Sequence, residues 1–128
     1  MSDAPFKNIA LKTLPDGTAV VGCLCGRLED YFIIENWSEE VHRCLSEYVG
    51  PNFIIDCSGV YIITSQAIAA LLSLKFAAKQ RNMGFGICSL NDYNAKTFRI
   101  TCLDRAFILG DSAEDTLEKI RAAEENDA

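Results

Sequence analysis

Phe53-Ile54-Ile55-Asp56-Cys57-Ser58-Gly59-Val60-Tyr61-Ile62-Ile63-Thr64-Ser65-Gln66-Ala67-Ile68 is the stretch that decides the fold. Phe53-Ile54-Ile55 is a short, unbroken apolar run, the pattern of a central strand covered on both faces, and Asp56 closes it with a carboxylate at the sheet rim. Val60 to Ile63 then leads into Thr64-Ser65, two hydroxyl residues able to cap a helix from about Gln66 to Gln80. Ala67, Ile68, Leu71, Leu72, Leu74, Phe76 and Ala78 make that helix apolar around most of its circumference, so it is expected to be largely buried. Lys75, Lys79 and Arg81 suit its negative C-terminal end.

Upstream, Phe6 to Leu11 reads as a strand, and Leu14-Pro15-Asp16-Gly17-Thr18 as a turn, because proline presets one dihedral and glycine supplies a positive φ. The second arm of this hairpin is expected from Thr18 to about Leu28. Asn36, with Glu39 three residues on, is the expected cap of a helix whose inner face carries Trp37, Val41, Cys44, Leu45 and Tyr48 and which stops at Gly50-Pro51. Downstream, Gly84 precedes a strand from Phe85 to Ser89, and Asn91 or Asp92 opens a helix with Ala95, Phe98 and Cys102 on one face. Phe107-Ile108-Leu109 is the last strand; Ser112, with Asp115 three residues later, caps a final helix with Leu117 and Ile120 inward. Strands alternating with helices require an α/β sheet, mixed because the opening hairpin is antiparallel and the later crossovers are parallel, with about four helices packed on it.

The 128 residues fit one domain, 1–128, with 1–5 and 124–128 expected as flexible ends. A hydrophobic share of 49% excludes a disordered chain. A net charge of −6 with no basic stripe argues against nucleic acid as a partner. No apolar run approaches the twenty or so residues that span a bilayer, and the first residues do not form a leader, so no direct membrane insertion and a cytoplasmic location are expected. The six cysteines lie in apolar segments and read as reduced core thiols. With no Cys-x-x-Cys and His42 as the only histidine, no metal and no cofactor are expected.

Thr64-Ser65 at the start of a helix places backbone donors and the positive dipole end where an anion can sit, although hydroxyl residues there also serve simply as caps. Asp56 with Glu29 or Asp30 offers paired carboxylates, but no nucleophile with a histidine partner is apparent, so these acids read as solvated or capping groups and no catalytic residue is expected. His42 falls off the apolar stripe of its helix and reads as a surface residue. Cys23, Cys25 and Cys57 are redox candidates whose default role is an inert buried thiol.

From Asp56 onward the chain resembles the STAS domain of bacterial anti-sigma factor antagonists. In that family a strand ends in Asp-x-Ser-x-Val/Leu, followed by a few apolar residues and Asp-Ser-Ser/Thr-Gly-Leu at a helix start. Asp56, Ser58, Val60, Ile62 and Ser65 match in register, and Gly26-Arg27-Leu28-Glu29 is similar to the family's Gly-x-Leu-Asp. The helix, Gly84, the last strand and Ser112-Ala113-Glu114 extend the resemblance over most of the chain. Thr64 stands at the usual Asp, Gln66 at the usual phosphoacceptor and Ala67 at the usual Gly. Gln66 has no hydroxyl, which leaves Ser65, or Thr64, as the nearest phosphoacceptor.

The resemblance implies a non-enzymatic interaction module that binds a kinase-like anti-sigma factor, or another signalling protein, and acts in transcription regulation by partner switching. Asp56, Ser58, Tyr61, Ile62, Thr64, Ser65, Gln66 and Ala67 are the expected partner-facing residues, small Ala67 allowing close approach. Two other classes stay open: a domain binding a small anion such as a nucleotide at the helix start, and a structural subunit of a signalling scaffold or transport complex. The oligomeric state is not set by the sequence.

Overall fold

The computed structural model describes residues 6–127. Strand β1 (Ile9–Thr13) and β2 (Ala19–Cys23) form an antiparallel hairpin, with Gly17 at φ +92° in the turn between them. After β3 (Arg27–Leu28) come α1 (Tyr31–Glu47), β4 (Asn52–Asp56), β5 (Ile62–Ile63), α2 (Ser65–Gln80) and β6 (Gly84–Cys88). The chain ends with α3 (Asp92–Ile100), a 3-10 turn at Leu103–Arg105, β7 (Leu109–Gly110) and α4 (Ala113–Asp127). The main sheet has the order β1-β2-β4-β6-β7, parallel except for β1, and β3 pairs with β5 in a separate parallel ribbon. The expected mixed α/β sheet with four helices is therefore what forms.

The continuous apolar pattern of β4 is explained by its two covered faces. Phe53 and Ile55 point with Ala19, Val21 and Ile87 into the larger core beneath α1, α2 and α3, while Ile54 points with Val20 and Cys88 toward Leu117 and Ile120 of α4. The second cluster is small, and α4 must come close to the sheet to close it. Gly86 and Gly110 provide that closeness, since a Cβ at either would run into Thr116. Ser112 Oγ accepts the Asp115 N–H at 3.0 Å, the expected cap. The helix then runs to Asp127, so residues 124–127 are helical, while residues 1–5 and 128 lie outside the described part.

Several boundaries differ from those expected. The hairpin arm ends at Cys23, because the chain then leaves the sheet, and Leu28, fully buried, pairs with Ile63 in the small ribbon. Helix α1 starts a turn and a half before Asn36: Asp30 Oδ1 accepts the N–H groups of Phe32 and Ile33 at 2.9 and 3.2 Å, and Ile34 extends the buried stripe of Trp37, Val41, Cys44 and Leu45 backward. Tyr48 lies past the helix end in extended conformation, its hydroxyl donating to Gly17 O at 2.6 Å. Cys102 is exposed with φ +61°, beyond the end of α3. Phe107 precedes β7 and packs with Phe98 and Phe85, ring centroids 5.9 and 6.5 Å apart.

Helix α2 is not buried all round either. Leu72 and Phe76 are exposed, Phe76 to 64%, because α2 has the sheet beneath it and α1 at its side but nothing over its outer face among the described residues. The cysteine expectation holds for most positions: burial pushes the Cys44 thiol up to about 11 and Cys88 up to about 12. A hydrogen bond with Cys23, and then burial, pushes Cys57 well above the usual range. Such thiols stay protonated at neutral pH and react slowly.

The approach of α4 gives a direct test. A Cβ at Gly110 would lie 2.7 Å from Thr116 N and 2.9 Å from its Cα, backbone atoms that cannot move without shifting α4. Gly110→Ala is expected to lower the unfolding free energy by about 1–3 kcal/mol, as overpacking does. Urea denaturation with an unchanged midpoint would contradict the close contact.

Candidate functional site

The site is built where the chain passes from β4 to α2. Asp56 is the last residue of β4, and its Oδ1 accepts the Ser58 N–H at 2.9 Å, so the carboxylate shapes its own loop. Asp56, Ser58 and Gly59 line a cleft with the exposed Leu24. Tyr61 leaves the loop with its N–H on Gly26 O at 2.6 Å and its ring 69% exposed. Ile62 is half-buried in β5.

Thr64 is the N-cap residue of α2 by backbone position, yet its hydroxyl does not cap. Thr64 Oγ1 donates to Leu28 O at 2.9 Å, and the Thr64 N–H donates to the same carbonyl at 3.1 Å. The β3 strand is thus bolted to the start of α2. By contrast α1 and α3 are capped by Asp30 and Asn91 side chains, so α2 presents first-turn donors that no N-cap side chain covers. Ser65 is exposed there, Gln66 is half-buried, and Ala67 is fully buried at 0%. Ala67 belongs to the core and drops out of the partner-facing set, because it lies on the side of α2 that faces the sheet.

The expected set therefore divides. Tyr61, Ser65 and Gln66 reach the surface, Thr64 holds β3, and Asp56 and Ser58 lie at a neighbouring cleft. The start of α1 joins Tyr61 at this rim. Its early start brings Tyr31, Phe32 and Ile33 to the rim, Phe32 74% exposed and its ring 5.6 Å from that of Tyr31 in edge contact. Ile33 and Tyr61 face each other across an apolar cleft of about 450 Å³ that Cys25, Gly26 and Arg27 also line. The sequence signal for these residues was the run Tyr31-Phe32-Ile33-Ile34 directly after Asp30, whose bulky and β-branched side chains do not read as a helix start.

Asn91 opens α3 as expected, whereas the hold that it and Asn94 have on the loop has no local signal in the sequence. Asn91 Oδ1 caps α3 through the Asn94 N–H at 2.8 Å, and the two side-chain amides reach back to the loop. Asn94, buried, accepts the Ile63 N–H at 3.2 Å and donates to Val60 O and Tyr61 O at 3.3 Å each, while Asn91 donates to Tyr61 O at 3.2 Å. The sequence shows only a polar residue one helical turn before Phe98, on the face that must be buried.

The acids at the rim are engaged locally: Glu29 pairs with Arg27 at 2.7 Å and Asp30 caps α1. One pairing not expected from the sequence is Ser73 Oγ with His42 Nε2 at 3.3 Å, a contact between α1 and α2 in which burial lowers the histidine pKa. No third group orients that ring among the described residues. There is also no cluster of three or more His, Cys, Asp or Glu able to hold a metal ion among them, and no helix long and apolar enough to cross a membrane.

Removing the Asn94 amide should loosen the rim selectively. Asn94→Ala leaves the buried Ile63 N–H without its partner and leaves the Val60 and Tyr61 carbonyls to Asn91, and is expected to cost about 1–3 kcal/mol of stability. Hydrogen exchange at Ile63 should accelerate more than at the centre of β4; equal acceleration at both would show that the asparagine holds the fold in general and not this loop.

Comparison with known proteins bears on both sequence and architecture. Among solved structures, a STAS-domain anti-sigma factor antagonist from Planctomyces limnophilus superposes with TM-score 0.73 at 16% identity, over 88% of this chain and 97% of that one. An anti-sigma factor antagonist from Mycobacterium paratuberculosis gives 0.72 at 20% identity, over 92% and 97%. A sulfate transporter family protein from Wolinella succinogenes gives 0.68 at 16%, over 89% and 93%. At these identities the likeness establishes the fold alone, and no curated protein matches the sequence. The STAS domain model, however, matches residues 28–120, from the buried leucine of β3 to the isoleucine that α4 sets on the sheet, and by that match the chain belongs to the STAS domain family.

Proposed function

We propose that this protein is a non-enzymatic docking module of the bacterial cytoplasm. In this reading it works in transcription regulation by partner switching, its rim binding a kinase-like anti-sigma factor or another signalling protein, with Gln66 keeping it in the unmodified, binding-competent state. One observation carries the reading: Ile33 and Tyr61 line an open apolar cleft, and Tyr31 and Phe32, in edge contact with each other, are exposed on the same first turn of α1 as Ile33. Aromatic side chains of this kind anchor protein interfaces, because they bury much apolar area at low entropy cost. The surrounding acids Glu29, Asp30 and Asp56 favour a partner with basic residues around an apolar centre, and they disfavour a nucleotide phosphate at the same rim.

Regulation by phosphate follows from local electrostatics. A phosphoryl group adds close to two negative charges, which the α2 dipole accommodates but an acidic rim opposes when a partner covers it. Gln66 removes the hydroxyl from the family's position. Of the two neighbouring hydroxyls, that of Thr64 is bound to Leu28 O, while that of Ser65 is exposed.

Two experiments test this. Isothermal titration against the kinase-like anti-sigma factor encoded nearest the gene should show binding by the unmodified chain. Tyr61→Asp should weaken it at least about tenfold with the far-UV spectrum unchanged, since that ring lies largely in solvent. Retained affinity would remove the rim from the interface. With the same kinase and ATP, the native chain should take up no phosphate and Gln66→Ser should become labelled; phosphate on Ser65 or Thr64 of the native chain would overturn the role given to Gln66.

A further inference from the structure

At the other end of α2 a second site is present that the docking rim does not use. Lys75 and Lys79 of α2, Arg105 of the 3-10 turn and Glu124 of α4 surround a cleft of about 340 Å³. Its floor is apolar and buried: Met83, Phe85, Phe107 and Ile120. The volume lies at the low end of the roughly 300–1,000 Å³ typical of small-molecule sites. In a chain of net charge −6, three cations at one mouth are an asymmetry that solvation alone does not require.

The cations have different duties. The Lys75 ammonium donates to Ala106 O and lies 5.8 Å from the Phe107 ring centroid, so it builds the wall. Lys79 and Arg105 have no carboxylate within 4.0 Å among the described residues, although Glu124 lines the same cleft. Two free cations over a buried aromatic and aliphatic floor match one chemistry: an apolar body with a single anionic head.

We propose that this cleft binds a small amphipathic anion, its apolar part on Met83, Phe85 and Phe107 and its carboxylate or sulfonate between Lys79 and Arg105. Glu124 is the acidic side chain among the described residues lining the mouth, and it opposes the ligand's charge. The site lies about 20 Å from Ser65, the length of fourteen helical residues, so its occupancy and partner docking are separable measurements.

The probe is 8-anilinonaphthalene-1-sulfonate, whose fluorescence rises in an apolar cleft, titrated into the full chain with octanoate and 1-octanol as competitors. Saturable binding to one site is expected, displaced by octanoate and far less by 1-octanol. Lys79→Gln with Arg105→Gln should weaken the probe about tenfold, and Glu124→Gln should tighten it about two- to threefold at low salt. All three positions are exposed, so thermal midpoints should stay close to the native value and confirm folding. In methyl spectra the Met83 resonance should move on addition of octanoate. No saturable binding, equal displacement by octanol, indifference to the double substitution, or shifts confined to the rim would each overturn the assignment.

Discussion

Between the end of β4 and the start of α2 the chain runs outside the main sheet, and every buried backbone donor and acceptor there must still find a partner. That requirement organises the molecule. Cys57 N–H donates to Cys88 O of β6, Tyr61 N–H to Gly26 O, Ile63 N–H to Asn94 Oδ1 and Thr64 N–H to Leu28 O. The partners come from β6, the loop before β3, β3 itself and α3. Four separate parts of the sequence are thus tied to one loop, and the loop in turn sets the origin and direction of α2. A change in any of them is felt first at the rim.

The sequence was informative wherever a single segment buries its own surface. Phe53 to Asp56 reads as a central strand because both of its faces are covered, and the alternation of strands and helices led to the mixed sheet. It was silent where a side chain serves a distant backbone. Asn94 and Thr64 act through bonds to residues about thirty positions away, and no local pattern encodes that. Asp30 reads as a solvated or capping acid, but not as the start of α1, for another reason. The residues after it have the look of a strand, and only the burial of Ile34 under the same stripe as Trp37 makes them helical. Tertiary burial there overrides propensity.

The candidate site shows the same division. The strand end, the loop and the helix start were legible from Asp56, Ser58 and Ser65, whose spacing repeats a family pattern. Which of these residues face outward was not, because exposure on a helix depends on where its first turn meets the sheet. Ala67 looks like a small gap for a partner, yet it is the contact that lets α2 lie close to the core. The apolar content of α2 reads as a largely buried helix, whereas Leu72 and Phe76 face solvent. Composition reports how much apolar surface a helix carries and not how much of it the fold covers.

Register is what gives Gln66 its weight. Consecutive residues of an α-helix are turned by about 100° and raised by about 1.5 Å, so neighbouring side chains at a helix start address different directions. Along α2 that rotation is visible in three steps: Ser65 exposed, Gln66 half-buried, Ala67 inside. A hydroxyl at 65 is therefore not a displaced copy of one at 66. It lies about 100° round the helix from position 66, and its neighbour Thr64 is held by the Leu28 carbonyl. The amide at 66 removes the phosphoacceptor without disturbing the helix, since glutamine is nearly as good a helix former as the residues around it. In the proposed reading, the loss of one oxygen nucleophile separates docking from modification, and the backbone of the rim needs no rearrangement.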